Sequence, residues 1–374
     1  MYLAYNSSSK IQELVNNFLA NNNTTTSAEN ITKIAFKQKT LDKKITSKKN
    51  YPKRYKSNPY AKEDKIAFNI PKKESRSLNK LADYIKNNTT SDKSRARVIY
   101  TWVAHNIRYD DKGYNTGDYG DLSAKTVLKS KTAVCSGYSN LFKTLCEKAG
   151  LKSIKISGYA KGYGFSDGQT LTKTNHAWNA VKIDNKWELI DVTWASGHAK
   201  TVNGKMKSTQ DFTSYWFCVD PYAFIYKHLP KNPKYQGLPN PITKQQYEHL
   251  PIVGKGILQL GFPPQKLFNS LINKKVTSLP TAWAPNFNIK VKSAKINKQL
   301  MEGKAITVKI ECPFDVSLVL VNNENWVYLT DEKGYWQGTT TVKAGTLLLC
   351  YKLNNKEGSF SSILKYDVKK EPHL

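Results

Sequence analysis

Residues 132–151 read TAVCSGYSNLFKTLCEKAGL, and this stretch decides the fold. Tyr138, Leu141, Leu145 and Ala149 recur at helical spacing on one face, and Gly150 follows as a residue suited to the left-handed turn that ends a helix. The residues before it are polar and turn-prone, so Cys135 stands at the helix N-terminus. Unpaired backbone N–H groups and the positive end of the helix dipole stabilise a thiolate there. Cys146 falls inside the same helix, and Cys218, Cys312 and Cys350 lie in apolar or strand-like contexts; all four read as packing residues. With no CxxC pair and no Cys/His cluster at metal spacing, the five cysteines point to neither a disulfide framework nor a structural zinc site.

Working outward, SIKISGYA (153–160), HAWNAVKI (176–183) and WELIDVTWA (187–195) are short runs rich in β-branched and aromatic residues. A helix followed by an antiparallel sheet is an α+β order. If Asp184-Asn185 is a two-residue turn, Ile183 faces Lys186 and His176 faces Thr193. Asp191 is then the diagonal neighbour of His176 on the same face. A one-residue slip would turn Asp191 to the opposite face. In this register the Asp191 carboxylate accepts from one ring nitrogen of His176 while the other nitrogen faces the Cys135 sulfur. The candidate catalytic set is therefore Cys135 as nucleophile, His176 as base and Asp191 as orienting acid. The Cys135 backbone N–H is the natural oxyanion donor, and Tyr109, in the helix-end segment IRYD, is a second candidate. Gly137 lets the helix start approach its neighbours closely, and Trp178 packs. His105, His198, His228 and His249 precede no strand that pairs with a candidate acid. They read as surface groups, with substrate binding as the other reading of His198. This chemistry requires no cofactor and no metal.

To the N-terminal side, SLNKLADYIKNN and SDKSRARVIYTWVAHNIRYD place Leu78, Leu81, Ile85 and then Val98, Trp102, Ile107 at helical spacing, the second helix capped by Ser91 or Asp92. Residues 1–62 are rich in Asn, Thr, Ser and Lys and read as a basic, flexible segment with a short helix over KIQELVNNFLA. To the C-terminal side, a Pro-rich stretch gives way to short alternating strands (NIKVKSAKI, AITVKIEC, VSLVLVN, GTTTVKAGTLLLCYKL), the pattern of a small β-sandwich. The expected division is a basic segment (1–62), a catalytic domain (63–230), a connector packing on the core (231–284) and an all-β sandwich (285–374). Lys and Arg number 58 against 29 Asp and Glu, a net charge of +29 that favours anionic partners if it is not compositional drift. No apolar run approaches the roughly 18 residues of a membrane-spanning helix, and no signal peptide is visible. Cytoplasmic residence and leaderless or processed secretion both fit.

SGYSNLF after Cys135, HAWNAVKI from His176 and WELIDVTW around Asp191 resemble the three motifs of the transglutaminase-like superfamily, whose core is papain-like. RVIYTWVAHNIRYD and HLPKNPKYQGLPNPITKQQYEHLP resemble its kyphoscoliosis-peptidase branch, members of which often carry an immunoglobulin-like domain afterwards. The resemblance implies the same roles for Cys135, His176 and Asp191. It departs at Tyr235-Gln236-Gly237-Leu238, where a WQLL-like run is expected. It implies acyl transfer on protein or peptide amides, hydrolysis being preferred over cross-linking because no calcium loops of animal cross-linkers are recognisable. The alternative is a non-catalytic scaffold that uses the fold to engage an acidic partner.

Overall fold

Helices α1 (Ala61–Phe68), α2 (Leu78–Asn87), α3 (Asp92–Asn106), α4 (Asp111–Thr116), α5 (Ala124–Ser130) and α6 (Cys135–Lys148) precede the principal sheet. They are seen in a computed structural model that describes residues 58–370 apart from 167, 286, 333–334 and 355–357. The expected basic segment as far as residue 57, with its short helix, lies outside the described residues. Its last expected residues, Ala61 and Lys62, instead open α1. That helix is held by a charged contact no apolar pattern discloses: Arg97 Nε and Nη2 donate to the two carboxylate oxygens of Asp64, each at 2.8 Å.

Ser91 caps α3 by accepting from the Ser94 N–H at 3.1 Å. Gly150, at φ 87°, takes the left-handed conformation after α6. The apolar face of α6 (Tyr138, Leu141, Phe142, Leu145) is buried with Leu81 and Ile85 of α2 and Val98 and Trp102 of α3. Each such side chain contributes about 1.5–3 kcal/mol by leaving water. Gly137 is needed because a Cβ there would lie 2.6 Å from the Ala133 Cβ and 3.0 Å from Val127, so the helix start could not seat against α5. Two short parallel strands, β1 (Arg108–Tyr109) and β2 (Thr132–Ala133), tie the end of α3 to the residues before Cys135.

The principal sheet is antiparallel in the order β5-β4-β3-β8, from β3 (Ser153–Ala160), β4 (His176–Ile183), β5 (Lys186–Ile190) and β8 (His228–Pro230). Asp184 and Asn185 both have positive φ, 47° and 65°, as a two-residue type I′ hairpin turn requires. The register runs from Ile183↔Lys186 to Asn179↔Ile190. Beyond Ile190 the chain departs from the expected strand. It turns into helix α7 (Val192–Ser196), because the Asp191 carboxylate caps that helix by accepting from the Trp194 N–H at 2.9 Å, so Thr193 does not face His176. A hairpin of β6 (Gly197–Val202) and β7 (Lys205–Gln210) follows. It is fastened to α4 by Asn115, whose side chain donates to the Met206 carbonyl and accepts from its N–H.

Gly158 sits at the tightest point of the sheet, opposite His176 on one side and Pro230 on the other. A Cβ there would collide with the Leu229 carbonyl oxygen and the Trp178 ring and lie 2.8 Å from the Pro230 Cα. Because backbone cannot move aside as a side chain can, Gly158→Ala is expected to lower the unfolding free energy by about 1–3 kcal/mol, measured by denaturant titration.

After α8 (Pro221–Phe224) and β8, the stretch expected to be connector contains three helices, α9 (Lys244–His249), α10 (Lys255–Gln259) and α11 (Pro264–Ile272). Their apolar residues (Tyr247, Ile257, Leu267, Phe268) belong to one core with the C-terminal strands. Those strands are β9 (Thr281–Ala282), β10 (Lys290–Ser293), β11 (Gln299–Met301), β12 (Ala305–Glu311), β13 (Val316–Asn322), β14 (Asn325–Tyr328), β15 (Thr330–Glu332), β16 (Tyr335–Thr341), β17 (Gly345–Leu353) and β18 (Ser361–Lys369). They form two sheets, β10-β12-β16-β15 and β11-β18-β17-β13-β14, with β9 on β18. Alternate residues along β12 (Ile306, Val308, Ile310) and β13 (Val316, Leu318, Leu320) enclose the core between them. The architecture is α+β with added C-terminal β-sheets. Among the described residues no helix is long and apolar enough to cross a membrane.

Candidate active site

Cys135 is the first residue of α6, so its backbone N–H has no intrahelical acceptor. Its side chain is partly exposed, whereas Cys146, Cys312 and Cys350 are buried. Burial would push the Cys135 thiol up, but hydrogen bonding and charge from His176, with a backbone hydrogen bond from Ala177, hold it below the ordinary thiol range. Every other cysteine moves the opposite way through burial, Cys218 to about 12 and Cys312 to about 11.

His176 opens β4, and its Nε2 lies 2.7 Å from Asp191 Oδ2. That leaves Nδ1 for the thiol. The ring is closely covered, its side chain 7% exposed, with the Trp194 indole stacked on it at 5.2 Å between centroids. Burial alone would lower the His176 pKa, but the Asp191 carboxylate and the Cys135 sulfur raise it to about 10. Asp191 is fully buried and held far below the usual carboxylate range, since the histidine contacts outweigh desolvation. The structure thus brings Cys135, His176 and Asp191 together, with Asp191 one residue beyond the strand on which it was expected. The lowered Cys135 thiol and the raised His176 ring are shifted in the directions that favour a thiolate beside an imidazolium.

Tyr109 lies at the end of β1, its ring stacked on Tyr138 at 6.4 Å. Burial, then the charge of Cys135, push its hydroxyl well above the ordinary tyrosine range, so it stays an O–H donor. Trp178 is buried, as expected of a packing residue.

His228 corrects the expectation of a surface group. It is fully buried on β8, and its Nε2 lies 2.9 Å from the same Asp191 Oδ2 that His176 uses. Its ring stacks on Phe224 at 4.0 Å, with Trp178, Trp194 and Trp216 around it. His105 is half-buried between Phe68 and Phe212, while His198 and His249 are exposed. The nearest signal for His228 was its place in HLP, a three-residue strand too short to read beside the Pro.

Among the described residues, His176, Asp191 and His228 are also the group whose ligand atoms lie close enough for a metal ion, within 4.8 Å of one another. Both Nε2–Oδ2 separations are hydrogen-bond lengths, so both imidazoles can donate to the carboxylate, while His228 Nδ1 is buried without a hydrogen-bond partner.

Residues 79–192 match the family model of the transglutaminase-like superfamily. The kyphoscoliosis peptidase of Mus musculus is 30% identical over 240 residues, covering 63% of this chain and 36% of that protein. The Homo sapiens kyphoscoliosis peptidase is 29% identical over the same length, with the same shares covered. Hillarin of Drosophila melanogaster is 28% identical over 207 residues, 51% of this chain and 24% of that protein. The chain therefore spans about a third of the length of the curated relatives it matches.

Proposed function

We propose, for a chain that belongs to the transglutaminase-like superfamily in its kyphoscoliosis-peptidase-like branch, that it is a thiol-dependent acyl-transfer enzyme acting on protein or peptide amides. The observation that supports this reading best is the contrast among its thiols: Cys135 alone of the five is held below the ordinary range, with His176 against it.

In the proposed reaction the Cys135 thiolate attacks the amide carbonyl carbon, forming the C–S bond and a tetrahedral oxyanion. The Cys135 backbone N–H and the Tyr109 hydroxyl are the proposed donors to that oxygen. Collapse breaks the C–N bond, and the leaving amine takes a proton from the His176 imidazolium. The resulting thioester is attacked by water as neutral His176 accepts its proton, and expulsion of the thiolate releases the acid. Hydrolysis is the preferred second half-reaction. An amine in place of water gives a cross-link by the same steps.

Brief iodoacetamide treatment followed by peptide mapping tests this. Cys135 is expected to label at least about tenfold faster than the other cysteines, the margin widening toward mildly acidic pH, where ordinary thiols carry little thiolate. His176→Ala should remove the advantage. Equal slow labelling of all five cysteines would leave a scaffold that turns nothing over. If labelling is fast, incubating a glutamine-containing peptide with a tagged primary amine distinguishes hydrolysis from cross-linking by product mass.

A further inference from the structure

A buried imidazole surrounded by aromatic rings needs a reason to be polar. His228 is fully buried, with the Phe224 ring parallel to it at an interplanar angle of 19° and Trp194 at 4.3 Å between centroids. A phenylalanine would suit such a box without the cost of desolvating an N–H. The polar feature the box does contain is Asp191 Oδ2, and Nε2 reaches it at 2.9 Å. Register places it there: Ala160↔His228 and Gly158↔His176 set the two histidines on strands either side of β3.

The carboxylate is thus gripped by three donors on three elements. Oδ1 accepts from the Trp194 N–H of α7, and Oδ2 accepts from His176 of β4 and His228 of β8. His228 thus adds a second donor on Oδ2 from the far side of the sheet, sharing that oxygen with His176.

Resting on the acyl-transfer reading above, we infer that His228 is a positioning residue: its Nε2–H fixes the Asp191 carboxylate, and through it keeps His176 aligned on Cys135. The titratable groups acting on His228 are Asp191 and His176, and burial holds its pKa down at about 4, so it is neutral when His176 is charged. A neutral donor steadies the carboxylate without competing with the imidazolium for its charge.

The experiment compares His228→Phe, which fills the aromatic box without a donor, with His228→Gln, whose side-chain amide N–H reaches toward the same oxygen. The readout is the rate of Cys135 alkylation by iodoacetamide across pH, beside thermal unfolding. His228→Phe is expected to remain folded yet label at least about tenfold more slowly, with its pH profile displaced, and His228→Gln to recover most of the rate. A packing role predicts the reverse order. In the wild-type protein, nitrogen NMR of labelled histidine should show His228 neutral and protonated at Nε2. Should His228→Phe not fold, the Gln variant and the NMR tautomer decide.

Fast wild-type labelling with His228→Phe unchanged, or an unprotonated Nε2, overturns this inference alone. Wild-type protein without fast, His176-dependent labelling overturns the acyl-transfer reading and this inference with it.

Discussion

Asp191→Asn is expected to slow alkylation of Cys135 by about two orders of magnitude at mildly acidic pH, because it removes the charge that keeps His176 protonated. The carboxylate accepts three N–H groups, two on Oδ2 and one on Oδ1. An asparagine offers one oxygen and one NH2. Either the Trp194 N–H loses its acceptor, or two imidazole donors face another donor. His176, raised to about 10 by its carboxylate and thiolate neighbours, then falls toward or below its ordinary value because burial opposes the charged ring. The thiolate loses its counter-charge, and an ordinary thiol is almost wholly protonated at such pH.

The same variant should flatten the dependence of stability on pH. The elevated His176 pKa supplies stability that is fully present below about 6.5 and lost as pH rises through about 10. The depressed Asp191 pKa supplies stability present above about 3.9 that is lost as pH falls through its lower folded value. Chemical denaturation at a series of pH values should show both slopes in the wild type and shallower ones in the variant, where Asp64 still contributes on the acid side. An unchanged labelling rate would mean that Asp191 does not govern His176.

Arg97→Met is expected to lower the unfolding free energy by roughly 3–5 kcal/mol, the largest stability effect foreseen, by stranding a buried carboxylate. Arg97 is fully buried and Asp64 is 4% exposed. Beyond the paired contacts, Asp64 accepts from Thr101 Oγ1 at 2.6 Å and Asn58 Nδ2 at 2.8 Å, and Arg97 Nη2 donates to Ser214 Oγ at 2.7 Å. The guanidinium also lies over the Tyr60 ring at 4.4 Å. Burial would raise the Asp64 pKa, yet its hydrogen bonds, Arg97's foremost, bring it below the ordinary value. The double variant Asp64→Asn, Arg97→Met should recover part of the loss, since it strands no charge. A loss under about 1 kcal/mol in the single variant would show the pair to be as weak as a surface ion pair.

What could be read in advance follows the range of the interactions. The α6 boundary rests on local periodicity and Gly150, and the β4–β5 register on a turn whose two residues tolerate positive φ; neighbours in the chain carry both signals. Asp191 was readable as the partner of His176 but not as a helix cap, because WELIDVTW looks like unbroken strand. His228 was unreadable for another reason: the rings that bury it come from β4, α7, α8 and the turn at Trp216, elements scattered along the chain. Asp64 misleads in the same way, since a carboxylate in AKEDKIAF reads as surface until its partner, 33 residues on, is in place. The helices of 244–272 hide among Pro and Gly in pieces too short to show a period.

The Asp184-Asn185 turn also bears on how this sequence can change over generations. Asp191 follows His176 by fifteen positions, and the turn links β4, which His176 opens, to β5, which ends one residue before Asp191. Adding or removing one residue there would turn the β5 side chains to the opposite face of the sheet, so inherited length variation at that spot is barred even though the loop is exposed. The connection from β3 to β4 enters the sheet ahead of His176 and carries no such parity. Lineages can lengthen or trim that segment and graft new surface ahead of His176, while the hairpin keeps its residue count.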